Sequence, residues 1–166
     1  MIDNTIVEKL VENARRLFHS PDNPNPFVAI IAIGNEIICE ADNRVYPGND
    51  PTAHAEVMAI RAACRKLETP IIPQCTLYTS CEPCAMCFSA AWWAGIREIY
   101  YVFPGMELSL DTRNAGFYRM FSDLIRKQDS IAMKKIHAPA IDDLFRQWHP
   151  GMLHKIKKVA YENRPG

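Results

Sequence analysis

Apolar positions along the chain alternate between two periods, and that alternation predicts the order of its elements. Ile6, Leu10, Val11, Ala14, Leu17 and Phe18 recur at three- and four-residue spacing, which predicts an amphipathic helix near the N-terminus. The polar, proline-rich segment 20–26 ends it. Residues 27–33 form a continuous apolar run that turns at Gly34-Asn35 into 36–39, the pattern of a hairpin of buried strands. Val57, Ile60, Cys64 and Leu67 return to helical spacing and predict a helix over 53–67. Asp50-Pro51-Thr52 offers an N-cap and a proline for its first helical position. A short strand at 75–79, a helix at 84–94 and an apolar strand at 97–103 follow. Strands alternating with helices predict an α/β fold whose sheet is covered on both faces. In the C-terminal third the pattern predicts helix over 118–126 and extended chain over 131–136. A helix starting at Asp142-Asp143 breaks at Pro150-Gly151, and a last amphipathic piece carries Leu153, Ile156, Val159 and Ala160.

Composition and charge narrow the classes. With 166 residues and 48% hydrophobic side chains, the chain reads as one domain over 1–166 with a C-terminal helical extension, and the composition disfavours disorder. Nineteen basic residues balance nineteen acidic ones, and no long run of like charge occurs, which disfavours nucleic acid as an obligatory partner. The nearest basic group, Lys155, Lys157 and Lys158, reads as a solvated helix face. Charged residues Asp3, Glu8, Glu12, Arg15 and Arg16 interrupt the N-terminal segment, and no run approaches a membrane span. A cytoplasmic location is therefore expected, and the six cysteines are expected as reduced thiols and metal ligands.

The candidate chemistry lies in His54-Ala55-Glu56 and, 27 residues later, Pro83-Cys84-Ala85-Met86-Cys87. One histidine and two cysteines supply three zinc ligands, while a structural zinc site normally closes with four. The open position is what water activation requires, since zinc lowers the pKa of water toward ~7. Glu56 is then a carboxylate that the metal does not need, free to carry protons. Cys84 and Cys87, three apart, share one face of a helix that Pro83 is suited to start. Residues two apart diverge by about 200° on a helix, so His54 and Glu56 can approach one ion only off the helix end. Two helix N-termini would then face the metal, and their partial positive charge favours thiolates. Cys81 keeps an alternative open: Cys81, Cys84 and Cys87 form C-x-x-C-x-x-C, which with a distant fourth ligand could close a structural zinc site or an iron–sulfur site. Cys81 otherwise ends a strand, and the remaining cysteines read as buried packing.

Asn43, the stretch 49–57 around His54-Ala55-Glu56, and the stretch 77–87 running into Pro83-Cys84 together resemble the cytidine deaminase superfamily of zinc enzymes. Within it they are most similar to bacterial guanine deaminases, with tRNA adenosine deaminases next; the resemblance is closest over residues 27–117. It implies a three-layer α/β/α fold with a central mixed sheet, one zinc per chain on His54, Cys84 and Cys87, and Glu56 as the catalytic proton carrier. The implied reaction is hydrolysis of guanine to xanthine and ammonia. The alternatives are a tRNA adenosine deaminase acting on a flipped base, or a deaminase of another guanine-like heterocycle.

The resemblance also implies a purine pocket built from Asn43, Phe27, Ala55, Trp93, Tyr118 and Tyr161. Asn43 would pair with a purine edge and Phe27 would stack on its face. Trp92 and Trp93 follow the start of the second zinc helix by two turns, so one is expected to face the pocket and the other a partner. Tyr161 lies in a C-terminal segment that closes over the active site in such relatives, sometimes that of a neighbouring subunit, and a homodimer is expected. Two positions depart from the family pattern. Val28 stands where a glycine is usual, and Tyr118 stands where an aspartate usually follows Ala-Gly-Phe.

Overall fold

The computed structural model describes residues 4–21, 23–108 and 131–148. In chain order its elements are α1 (Asn4–Phe18), β1 (Val28–Ile33), β2 (Glu36–Asp42), α2 (Val45–Gly48), α3 (Ala55–Lys66), β3 (Thr76–Cys81), α4 (Ala85–Trp93), β4 (Glu98–Phe103) and β5 (Ala132–Lys135). A one-turn 3₁₀ helix occupies Gly105–Leu108, and residues 139–148 form a further helix, α5. The strands make one sheet in the order β2-β1-β3-β4-β5, with β1 antiparallel to both neighbours and the other pairs parallel. The sheet is mixed, as expected of this α/β class.

Strand periodicity decides which residues serve which layer. In β1, Val28, Ile30 and Ala32 enter a core with Ile6, Leu10, Ala14 and Leu17 of α1 and with Ile141, Leu144 and Phe145 of α5. The intervening Ala29 and Ile31 enter a second core with Ala55, Ala59, Ile60 and Ala63 of α3 and Ala91 of α4. A strand buried on both faces reads as an unbroken apolar run, and the Val28–Ile33 burial bears that out. Two helices on each face complete the α/β/α sandwich.

Several expectations need correction. β2 is an edge strand, and only Ile38 in it is buried. A bulge near Ile38 shifts its register, so Ile38 and Cys39 both pack toward the α3 layer despite being consecutive. α3 begins at Ala55, later than the Asp50-Pro51 signal indicated. Asp50 instead closes a local turn, its Oδ1 accepting from the Thr52 backbone N–H at 2.8 Å and from Thr52 Oγ1 at 2.6 Å. α5 starts three residues before Asp142, with Pro139 in its first turn, where a missing N–H costs nothing. The short helix α2 had no periodic signal. The readings of 118–126, Pro150-Gly151 and the final amphipathic piece fall outside the described residues, as do Tyr118 and Tyr161.

Candidate active site

Both ligand-bearing segments are the N-cap residues of helices that lie on the same face of the sheet. His54 precedes α3 with extended backbone (φ −64°, ψ 152°), and Cys84 precedes α4 likewise (φ −71°, ψ 171°). Because His54 lies outside the helix, its ring is not tied to the 100° step that would separate it from Glu56. Each cap carbonyl accepts the first helical hydrogen bond, from Met58 N–H to His54 O and from Phe88 N–H to Cys84 O, both at 2.9 Å. Cys87 then sits one turn inside α4, where its sulfur returns toward Cys84.

His54 Nδ1 lies 3.5 Å from Cys87 Sγ and 3.8 Å from Cys84 Sγ, and the two sulfurs are 3.6 Å apart. A tetrahedral ion with Zn–S of ~2.3 Å and Zn–N of ~2.0 Å would set S···S near ~3.8 Å and S···N near ~3.6 Å. The triangle therefore already has zinc dimensions, and among the described residues it is the one His/Cys/Asp/Glu group of that compactness. Cys81 is outside it, buried at the end of β3. Burial, with Glu56 and Glu82 nearby, pushes its thiol well above the usual range.

The electrostatics of the three ligands differ. The Cys87 thiol beside Cys84, opposed by burial and assisted by His54, draws the Cys84 thiol down to about 4. Cys87 correspondingly holds its proton, raised first by Cys84 and then by burial. His54 is raised by its contact with Cys84. Without metal, the sulfur pair thus shares a proton that binding must displace. Glu56 is 7% exposed. Burial foremost, and the Cys84 thiolate next, raise its carboxyl above the ordinary glutamate value. The shift is toward a carboxyl that holds its proton more readily than an exposed glutamate does.

The strand ends bring two further expected residues to this edge. Asn43 N–H donates to Phe27 O at 3.1 Å, just past the Val28–Asp42 pair. Continuing the β1–β3 register by two steps beyond Ala29–Thr79 sets Phe27 opposite Cys81. Asn43 Oδ1 accepts from Val45 N–H at 3.1 Å, and the next residue, Arg44, donates its N–H to Ala53 O at 2.8 Å beside His54. Ala55 is buried between the ligand and Glu56. Trp92 and Trp93 are a different case. Both end α4, opposite to its ligand-bearing start, and they are 40% and 78% exposed, with Arg97 4.4 Å over the Trp92 ring. Within one chain neither turns inward, which corrects the expected split.

The sequence reading passed over residues that hold this edge in place. Ser80 Oγ accepts from Val28 N–H at 3.0 Å, and Glu82 Oε2 accepts from Gly105 N–H at 2.9 Å, tying the Pro83-Cys84 loop to the end of β4. Glu82, lying next to the proline and ligand, was the readable signal; Ser80 left none, because its partner is 52 residues away.

Comparison with known proteins agrees with this geometry. Over 115 residues the chain is 43% identical to the guanine deaminase of Bacillus subtilis, an alignment covering 69% of this chain and 65% of that protein, just under two thirds of its length. It is 37% identical over 114 residues to the tRNA-specific adenosine deaminase of Aquifex aeolicus, covering 69% of this chain and 70% of that one. The X-ray structure of a Bacillus subtilis guanine deaminase superposes with a TM-score of 0.60 at 32% identity, over 90% of this chain and 95% of that one. The family model for the cytidine and deoxycytidylate deaminase zinc-binding region matches residues 2–103, which include His54, Glu56, Cys84 and Cys87 and the helices α3 and α4 that position them. By ligand geometry, fold and sequence alike, this chain belongs to the cytidine and deoxycytidylate deaminase zinc-binding family.

Proposed function

We propose that the protein is a hydrolytic deaminase whose substrate is guanine, converted with water to xanthine and ammonia. The observation that carries the reaction type is Glu56, a buried carboxylate beside a three-ligand cluster of zinc dimensions. His54, Cys84 and Cys87 would hold a zinc ion, which would supply an activated water at neutral pH. Glu56 is placed to take one proton from the attacking water and deliver it to a ring nitrogen of the base, then to take the second from the added hydroxyl and pass it to the amino group, which leaves as ammonia. The upward direction of its pKa shift, caused first by burial, favours the donating steps.

Similarity to the Bacillus subtilis guanine deaminase supports the choice of base, and Phe27 and Asn43, neighbours at the strand ends, suit a flat purine. In this reading Ala55 lines the pocket floor, and Tyr118 and Tyr161 complete it. Trp92 and Trp93 form part of a homodimer interface through which Trp93 reaches a pocket. A second reading, editing of a tRNA adenosine, draws on the Aquifex aeolicus similarity; the zero formal charge weighs against it.

Ammonia release should be measured from guanine, adenine, cytosine, cytidine and a tRNA anticodon stem-loop. Guanine is expected to turn over fastest, and Glu56→Gln to lower turnover by ~10² to 10⁴ or more with zinc and fold retained. Near-normal turnover in Glu56→Gln would sink the mechanism, and faster deamination of the stem-loop would establish the second reading.

A further inference from the structure

We propose that Phe145 and Trp148 of α5 are positioning residues that set the tilt of the Phe27 ring and so govern affinity for the base; this rests on Phe27 being the stacking residue. Phe27 precedes the first residue of β1 and is only half-buried, so the sheet alone leaves its ring loosely held. Two aromatic rings supply the constraint. Phe145 meets it at a centroid distance of 5.1 Å and 76°, and Trp148 at 5.1 Å and 90°. Both are edge-type contacts, and no aromatic among the described residues lies parallel on Phe27.

Each of the two is itself fixed. Phe145 is fully buried and stacks on Phe103 at 4.7 Å and 16°. Trp148 donates its indole N–H to Pro24 O at 3.2 Å, in the loop that leads into Phe27. That loop runs back to the other proposed base-binding residue. Phe27 N–H donates to Asn25 Oδ1 at 3.1 Å, Asn25 Nδ2 donates to Asn23, and Asn23 Nδ2 donates to Asn43 O at 2.7 Å. Asn23 and Asn25 are buried, so this chain of amides is screened from water. The Phe27 ring is therefore held by α5, its own backbone N–H by the amide chain, and the one hydrogen bond from α5 to the loop falls at Pro24, three residues before the ring.

The test is steady-state kinetics on guanine for Phe27→Leu, Trp148→Leu, Phe145→Leu and Trp148→Phe, each checked for zinc content. Trp148→Leu and Phe145→Leu are expected to raise KM about 3- to 10-fold, the scale of one aromatic edge contact, with kcat within about twofold. Trp148→Phe should recover most of the loss. Adding Trp148→Leu to Phe27→Leu should raise KM no further. If Phe27→Leu raises KM while the α5 variants match wild type, or if the effects simply multiply, the positioning role is overturned and the stacking reading stands. If Phe27→Leu leaves KM unchanged, both fall together. Should Trp148→Leu fail to bind zinc, Trp148→Met provides the same comparison.

Discussion

At the residue scale the decisive distinction is between Cys81 and its two neighbours in C-x-x-C-x-x-C. Spacing alone could not separate them, because three cysteines at equal intervals are equivalent in a sequence. The end of β3 separates them: Cys81 still belongs to the strand, and Cys84 opens a helix. Cys81→Ser is accordingly expected to retain about one zinc per chain, whereas His54→Ala should lose it, as metal analysis after dialysis would show. Loss of zinc in the first and retention in the second would restore the closed cysteine site. A pH dependence follows from the same ligands. His54 and Cys87 have raised pKa values without metal, so zinc must displace protons that occupy these ligands more fully as pH falls. Affinity in a chelator competition should drop on going from about pH 8 to about pH 6, by about tenfold per pH unit for each proton displaced. A flat profile would show that the ligands are already deprotonated.

At the element scale, legibility followed the range of the interaction that fixes each boundary. β1 was readable because burial on both faces leaves an unbroken apolar run. α4 was readable within one residue at each end because Pro83 and Gly95 punctuate it locally. The start of α3 was misread because Asp50-Pro51-Thr52 has the chemistry of a cap and uses it in a turn. β2 was cut short because the bulge near Ile38 breaks alternation. The aromatic contacts of α5 with Phe27 had no local trace at all. One boundary yields a stability prediction. Gly95 follows α4 at φ +80°, its N–H donating to Trp92 O at 3.0 Å, and a Cβ there would come within 3.3 Å of Ile71 Cγ2. Gly95→Ala should cost about 1–2 kcal/mol in urea unfolding monitored with zinc bound. An unchanged midpoint would mean that the helix end relaxes at no cost.

At the scale of the whole molecule, the large exposed apolar side chains among the described residues are unevenly spread. Of Tyr46, Ile71, Trp92 and Trp93, the last three gather where α4 ends, since Ile71 approaches Gly95. Apolar surface of this kind is what a partner buries. Trp93→Glu is expected to shift the protein from dimer to monomer in sedimentation equilibrium while leaving zinc content intact; a wild-type monomer would remove the basis for this interface. The described helices include none long and apolar enough to cross a membrane. Of the three layers, the sequence displayed the sheet and the α3–α4 face well. The α1–α5 face was half visible, because α5 is fixed by contacts across more than a hundred residues, such as Trp148 to Pro24.

The placement of His54 and Cys84 at the heads of two different helices also bears on how the chain is held shut. They are 30 positions apart, with β3 lying between, so one ion bound by both closes a loop containing a complete strand. A covalent link closing a loop of that length would disfavour the unfolded chain by about 3–4 kcal/mol, a sizeable share of a typical domain's stability. The ion that activates water would then also be a clasp, fastening α3 to α4 across the edge of the sheet.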